Sequence, residues 1–150
     1  MMNSFFSPED MVEAHRRLGA ACGHGALAAA LSVSVEQACQ LLEKGSWINV
    51  PMMKDALRRH RVDFRVHEGR CDLKGPAVTI VQWLGPWTEP GKPARLAARY
   101  RHWVARRGSL IWDANAPFWI DNRVWAKHIA PEIMPKNATG LKPAYTLELF

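Results

Sequence analysis

Residues 22–31 read Cys22-Gly23-His24-Gly25-Ala26-Leu27-Ala28-Ala29-Ala30-Leu31. Ala26, Leu27, Ala30 and Leu31 are spaced for one apolar face of a helix. Ala28 and Ala29 put little that is polar on the other face, so the helix is expected to be buried all round, beginning near Ala21 or Cys22. Its neighbours are helical too. Ser7-Pro8-Glu9-Asp10 reads as a helix start, with Ser as N-cap, Pro at the first position and acids in the first turn, and that helix runs to about Leu18 before Gly19. Ser34 caps a further helix expected from Val35 to Lys44, stopped by Gly45. Pro51 to Arg59 reads as a fourth, short helix.

Beyond residue 60 the period changes. Val62, Phe64 and Val66 alternate with Asp63, Arg65 and His67, the pattern of a strand with one face buried. Ala77 to Leu84 is a continuous apolar run and reads as a central strand. Gly85 to Pro93, rich in Gly and Pro, reads as a loop. Ala97–Ala105 and Leu110–Asp113 read as paired strands turning around Arg107-Gly108. Asp121 to Ile129 reads as a helix, Pro135 to Gly140 as a loop, and Tyr145, Leu147 and Leu149 as a closing strand. Helices first and strands after is an α+β order rather than βαβ alternation. The 150 residues fit one domain, residues 1–150, with a helical part over about 7–60 and a sheet part over about 61–150.

Composition narrows the class of function. At 48% hydrophobic residues the chain is not a disordered one. The apolar stretch from Ala20 to Val35 is too short and too interrupted to span a bilayer, and no signal-peptide layout precedes it. Three cysteines, Cys22, Cys39 and Cys71, form no CxxC pair, which fits a reducing compartment. The expectation is a cytoplasmic protein without a membrane span. Lys+Arg 20 against Asp+Glu 14 gives a net charge of +6, which favours acidic partners. The densest basic spots, Arg58-Arg59-His60-Arg61 and Arg99-Tyr100-Arg101-His102, read most simply as solvated surface. Nucleic acid is disfavoured as a partner, since neither an aromatic sheet motif nor a GXXG loop is present.

Three residues fall in an order that points to chemistry. Cys22 lies at the expected N-terminus of the buried helix, where unsatisfied N–H groups and the helix dipole stabilise a thiolate. His102 sits in the strand pattern Tyr100-Arg101-His102-Trp103-Val104-Ala105. Asp113 ends the next strand, with Asn115 two residues on. A hairpin turning at Arg107-Gly108 sets positions 102 and 113 nearly opposite each other. An acid or amide there takes one ring N–H, and the other ring nitrogen is left to deprotonate a thiol. Each residue also has a plainer reading: Cys22 as a buried structural thiol, His102 as a core histidine, Asp113 as a turn residue before Asn115-Ala116-Pro117. Cys22, His24 and His102 are zinc-ligand types but lack the paired spacing of structural zinc sites. No cofactor and no metal are expected.

The stretch from Cys22 to Leu31, the histidine strand His102-Trp103-Val104-Ala105 and the following Ile111-Trp112-Asp113-Ala114-Asn115 resemble the papain-like cysteine peptidases. The likeness is closest to the bacterial and phage branch related to the bacteriocin-processing, double-glycine peptidases. It covers roughly residues 10 to 130. The resemblance implies an N-terminal helical half packed on an antiparallel sheet, with Cys22 as thiolate, His102 as general base, and Asp113, or alternatively Asn115, as orienting group. It implies thiol-dependent amide hydrolysis, as a cysteine peptidase or a deamidase-like enzyme, on a peptide or protein substrate with an amide bond. That family places a Gln about six residues before the nucleophile as an oxyanion donor, whereas here the position is Arg16 and no Gln precedes Cys22. Arg16 and His24 are therefore the oxyanion or substrate-binding candidates. The departure keeps open a second expectation, an inactive papain-like scaffold that binds an acidic protein through its basic surface, as a phage antagonist would. Of the seven tryptophans, Trp103 and Trp112 are expected in the core on the face opposite His102 and Asp113. Trp83, Trp87, Trp119 and Trp125 are expected to seal its rim, the alternative being that they wall a groove for an extended chain.

Overall fold

The expected all-round burial of the first helical stretch is what the fold is built on. In a computed structural model, which describes residues 9, 11–13, 16, 22–42 and 47–150, Cys22–Leu31 forms helix α1 and residues 23–30 are all buried. Two of its glycines are demanded by packing. A Cβ on Gly25 would lie 2.7 Å from Cη2 of Trp112 and 2.9 Å from the Met11 methyl, and one on Gly23 would lie 3.0 Å from Ile48. Trp112 is fully buried and has nowhere to retreat. Gly25→Ala is therefore expected to destabilise the protein: overpacking costs about 1–3 kcal/mol, against about 1 kcal/mol gained in helix propensity. Thermal unfolding of the variant checks this, and an unchanged or raised Tm would contradict the tight Trp112 contact.

The predicted cap of the next helix is a reciprocal one. Helix α2 (Val35–Leu41) begins where the Ser34 hydroxyl accepts the Gln37 N–H and the Gln37 side chain accepts the Ser34 N–H. Its expected end at Lys44 and Gly45 lies outside the described residues, as do Ser7, Pro8, Asp10, Leu18 and Gly19 of the first predicted helix. Glu9, residues 11–13 and Arg16 are helical. Helix α3 (Val50–Arg59) is capped by Asn49, whose side chain accepts the Met52 N–H at 2.9 Å, with Pro51 in the first turn.

The strands form one six-stranded antiparallel sheet in the order β1-β6-β2-β3-β4-β5. The strands are β1 Phe64–Glu68, β2 Ala77–Leu84, β3 Arg101–Arg107, β4 Leu110–Asp113, β5 Ala116–Asp121 and β6 Gly140–Leu149. The fold is α+β. Strand β2 is interior and buried over seven of its eight residues, as its unbroken apolar run requires. Alternation sorts the side chains into two cores. Val78, Ile80, Trp103, Ala105, Trp112 and Leu147 pack with Leu27, Met53 and Leu57 of the helices. Val81, Trp83, Val104 and Ile111 pack on the other face with Trp87, Trp125 and Ala130. The core positions expected of Trp103 and Trp112 are those found. Trp83, Trp87, Trp119 and Trp125 are buried as well.

Several elements differ from their expected form, each for a local reason. Residues 94–97 form a short helix, α4 (Ala94–Ala97), and β3 begins only at Arg101. Strand β5, to which the sequence pattern assigns no element, carries Pro117 and lies at the sheet edge, where a missing N–H is tolerated. Strand β6 starts earlier than Tyr145 and carries Pro143 next to a register shift between Ile80 and Val81, a bulge that takes up the proline. Val66 is exposed, because β1 is the other edge of the sheet. Residues 122–133 wind as an α turn, a π turn over Trp125–Ile129 and a last α turn. The β3–β4 hairpin pairs Arg107 with Leu110, so its loop is Gly108-Ser109 rather than Arg107-Gly108. Gly108 takes φ +57°, the left-handed conformation that a two-residue loop needs at its first position.

Candidate active site

Ladder geometry places the site. The Trp83 N–H donates to the Tyr100 carbonyl at 2.9 Å, so the pairs between β2 and β3 alternate from there, and Val81–His102 is hydrogen-bonded. Trp103, opposite Ile80, falls on a pair without mutual hydrogen bonds, and its N–H faces away from β2. On that side β4 would continue the sheet, but β3–β4 pairing stops at Ala105 and Trp112. The strand edge at His102-Trp103 is therefore open. Cys22, the first residue of α1, lies there, close enough for the Trp103 N–H and the His102 ring to act on its thiol. This is how a helix covering one face of the sheet meets a histidine that points to the other.

His102 Nε2 lies 2.9 Å from Asp113 Oδ2. The nitrogen left for the thiol is Nδ1. The shifted hairpin register puts Asp113 across from Val104 rather than from His102. The two residues still share a face, and the ring spans the diagonal. Asp113 is 1% exposed and all four of its contacts are donors. Oδ2 accepts His102 Nε2 and the Trp125 indole N–H at 2.8 Å. Oδ1 accepts the Asn115 backbone N–H at 2.8 Å and its side-chain amide at 3.0 Å. One carboxylate oxygen thus meets the His102 ring and the other closes the turn with Asn115. Asn115 does not orient His102; it fixes Asp113. Trp125 was not expected at the site. The only hint in the sequence is that a buried indole needs an acceptor for its N–H.

Electrostatics follow the hydrogen bonds. Burial pushes the Cys22 thiol up, but the His102 hydrogen bond and charge, with the Trp103 N–H, outweigh it and hold the thiol below its ordinary value. Burial pulls His102 down, while its bonds to Asp113 and Cys22 raise it to about 10. Burial likewise opposes ionisation of Asp113, yet His102, Asn115 and Trp125 hold its carboxyl below the usual range. All three directions favour the same state: thiolate, imidazolium, carboxylate.

The other expected site residues are placed elsewhere. Arg16 is exposed, and its guanidinium forks onto Glu13 with contacts of 2.6 and 3.0 Å, so it is not at the thiol. The Glu13 carboxylate, one turn away, competes for it locally. His24 is fully buried, a helix residue pointing into protein rather than lining a cleft. A pocket of about 190 Å³ opens beside the thiol, between Cys22, Trp47, Ile48, Val50, Arg101 and Trp103. Trp103 Nε1 ties its wall to the Ile48 carbonyl at 2.8 Å, while Trp47 is 72% exposed at the rim. The larger groove of about 650 Å³, which includes Thr79, Arg106 and Trp125, is lined by none of Cys22, His102 and Asp113. Among the described residues no group of three or more His, Cys, Asp or Glu is arranged to hold a metal ion, and no helix is long and apolar enough to cross a membrane. Neither protein-family models nor curated proteins give a match to the chain.

Proposed function

We propose that the chain is a thiol-dependent amide hydrolase of papain-like type, with Cys22 as nucleophile, His102 as general base and acid, and Asp113 as orienting group. The observation that carries this reading is the grouping of Cys22, His102 and Asp113 from a helix terminus and two strands, in which His102 Nε2 meets Asp113 Oδ2 at 2.9 Å and the thiol and imidazole favour each other's charged form. A structural cysteine has no use for a histidine whose far nitrogen is pinned by a buried carboxylate.

The arrangement performs acyl transfer in two halves. The thiolate attacks the amide carbonyl carbon, forming a C–S bond and a tetrahedral oxyanion. The Cys22 N–H, in the first turn of α1, is the donor at hand for that oxygen. The imidazolium gives its Nδ1 proton to the leaving nitrogen, the C–N bond breaks and the amine departs, leaving a thioester. His102, now neutral, takes a proton from water, whose oxygen attacks the thioester carbonyl. Collapse releases the acid and restores the thiolate–imidazolium pair.

Alkylation by iodoacetamide across pH tests the first half, with the labelled cysteine identified by mass spectrometry. Cys22 is expected to react faster than Cys39 and Cys71 at neutral pH, with an apparent pKa below the free-thiol value of ~8.5. Labelling no faster than at Cys39 and Cys71 would overturn the proposal and leave the scaffold reading, with an acidic protein as partner. For hydrolysis, the rate is expected to rise as the thiol ionises and to fall as pH climbs through about 10, where His102 loses the proton owed to the leaving amine.

A further inference from the structure

We infer that the pocket beside Cys22 receives an acidic side chain of the polypeptide substrate, held by Arg101; this inference rests on the amide-hydrolase reading. Arg101 is the one cationic residue among those lining the pocket, whose other walls are mainly the tryptophans and aliphatic side chains. Its guanidinium is held in a particular way. Gln82 is 3% exposed, and the two N–H groups of its side-chain nitrogen are shared among three backbone carbonyls, those of Trp83, Ala97 and Tyr100, at 2.9–3.1 Å. Those three bonds fix which way the amide faces. Its oxygen is left to accept Arg101 Nε at 2.8 Å.

The tether is neutral. It orients the guanidinium without cancelling its charge, and among the described residues Arg101 enters no ion pair. With Nε occupied, the two terminal nitrogens are the donors left to a ligand, and a carboxylate matches them. A purely structural surface arginine would not need a buried glutamine committed to three carbonyls to aim it. The apolar walls exclude water from one side and strengthen such a pair.

Positional pools of N-acetylated, C-amidated tetrapeptides, carrying Glu, Gln or Lys at one fixed position and mixtures elsewhere, test this on the full-length Cys22→Ala protein by titration calorimetry. At one position Glu is expected to bind about tenfold or more tighter than Gln, the order of one charge-assisted hydrogen-bond pair, with Lys weakest. Added salt should shrink the difference, Arg101→Met should abolish it, and Arg101→Lys should retain part of it. No Glu advantage at any position, including no binding by any pool, overturns the inference, and this comparison needs no Arg101 variant to fold. The two readings fail separately. Selective Cys22 labelling without a Glu preference removes the acidic pocket alone. A Glu preference without Cys22 reactivity removes the hydrolase and leaves the carboxylate site.

Discussion

Cys22→Ala is expected to reduce amide hydrolysis to background, a loss on the order of 10⁵–10⁶ in kcat once a substrate is in hand, while the protein stays folded. The chemistry has no substitute nucleophile, since Cys39 and Cys71 line neither the pocket nor the triad. The fold should survive because Cys22 is only partly buried at the start of α1, and removing one sulfur costs about 1 kcal/mol. The electrostatic consequence is larger than the packing one. Without the thiolate, His102 loses one of the two partners that raise it, so its proton should leave at lower pH than in the parent protein, which imidazole NMR shifts can follow. Cys22→Ser separates size from ionisation: it fills the same space but has a hydroxyl too weakly acidic to give its proton to His102. Both variants inactive with near-parent Tm is the expected pair of results. Turnover retained in Cys22→Ala would sink the mechanism.

The grouping of Cys22, His102 and Asp113 was legible in sequence for reasons that are local. Cys22 opens a run whose Ala and Leu spacing permits only a buried helix, and a helix start is where a thiolate is stabilised. Alternation along residues 102–105 and 110–113 assigned His102 and Asp113 to one face and Trp103 and Trp112 to the other, and that parity does not depend on the hairpin register. The register itself was misjudged by one loop position, because Gly108 must take the first position of the turn rather than the second. Parity survived because moving the turn by one position slides one strand past the other by two residues, which returns every side chain to its own face. What sequence could not supply were contacts set by tertiary closure. Arg16 stands near the position where a donor was sought, yet Glu13 claims it. Trp125 sits in a helix whose π turn was invisible in the pattern, and it is the indole from this helix that reaches Asp113. Gln82 lay inside an apolar strand, and only the approach of residues 97–101 reveals it as the brace of Arg101.

Asp113→Asn is expected to lower kcat/KM by about 10²–10⁴ and to move Cys22 alkylation to higher pH, two effects of one cause. All four partners of the carboxylate are donors. An asparagine keeps one oxygen and replaces the other with an NH₂ donor. Turned one way, the NH₂ meets the Trp125 indole N–H and the His102 ring; turned the other, it meets the Asn115 backbone N–H. Either orientation leaves a buried donor facing a donor, at about 1–3 kcal/mol, so a lower Tm should accompany the kinetic loss. The pH shift distinguishes an orienting role from mere support. The negative charge of Asp113 by itself pushes the Cys22 thiol up, but this is the smallest influence on it; the bond and charge of His102 are larger and act downward. Removing the carboxylate therefore weakens the imidazolium more than it relieves the thiolate, and the net displacement of Cys22 is upward. The alkylation profile of a well-folded Asp113→Asn protein settles the matter. An unchanged midpoint would reduce Asp113 to the turn it forms with Asn115.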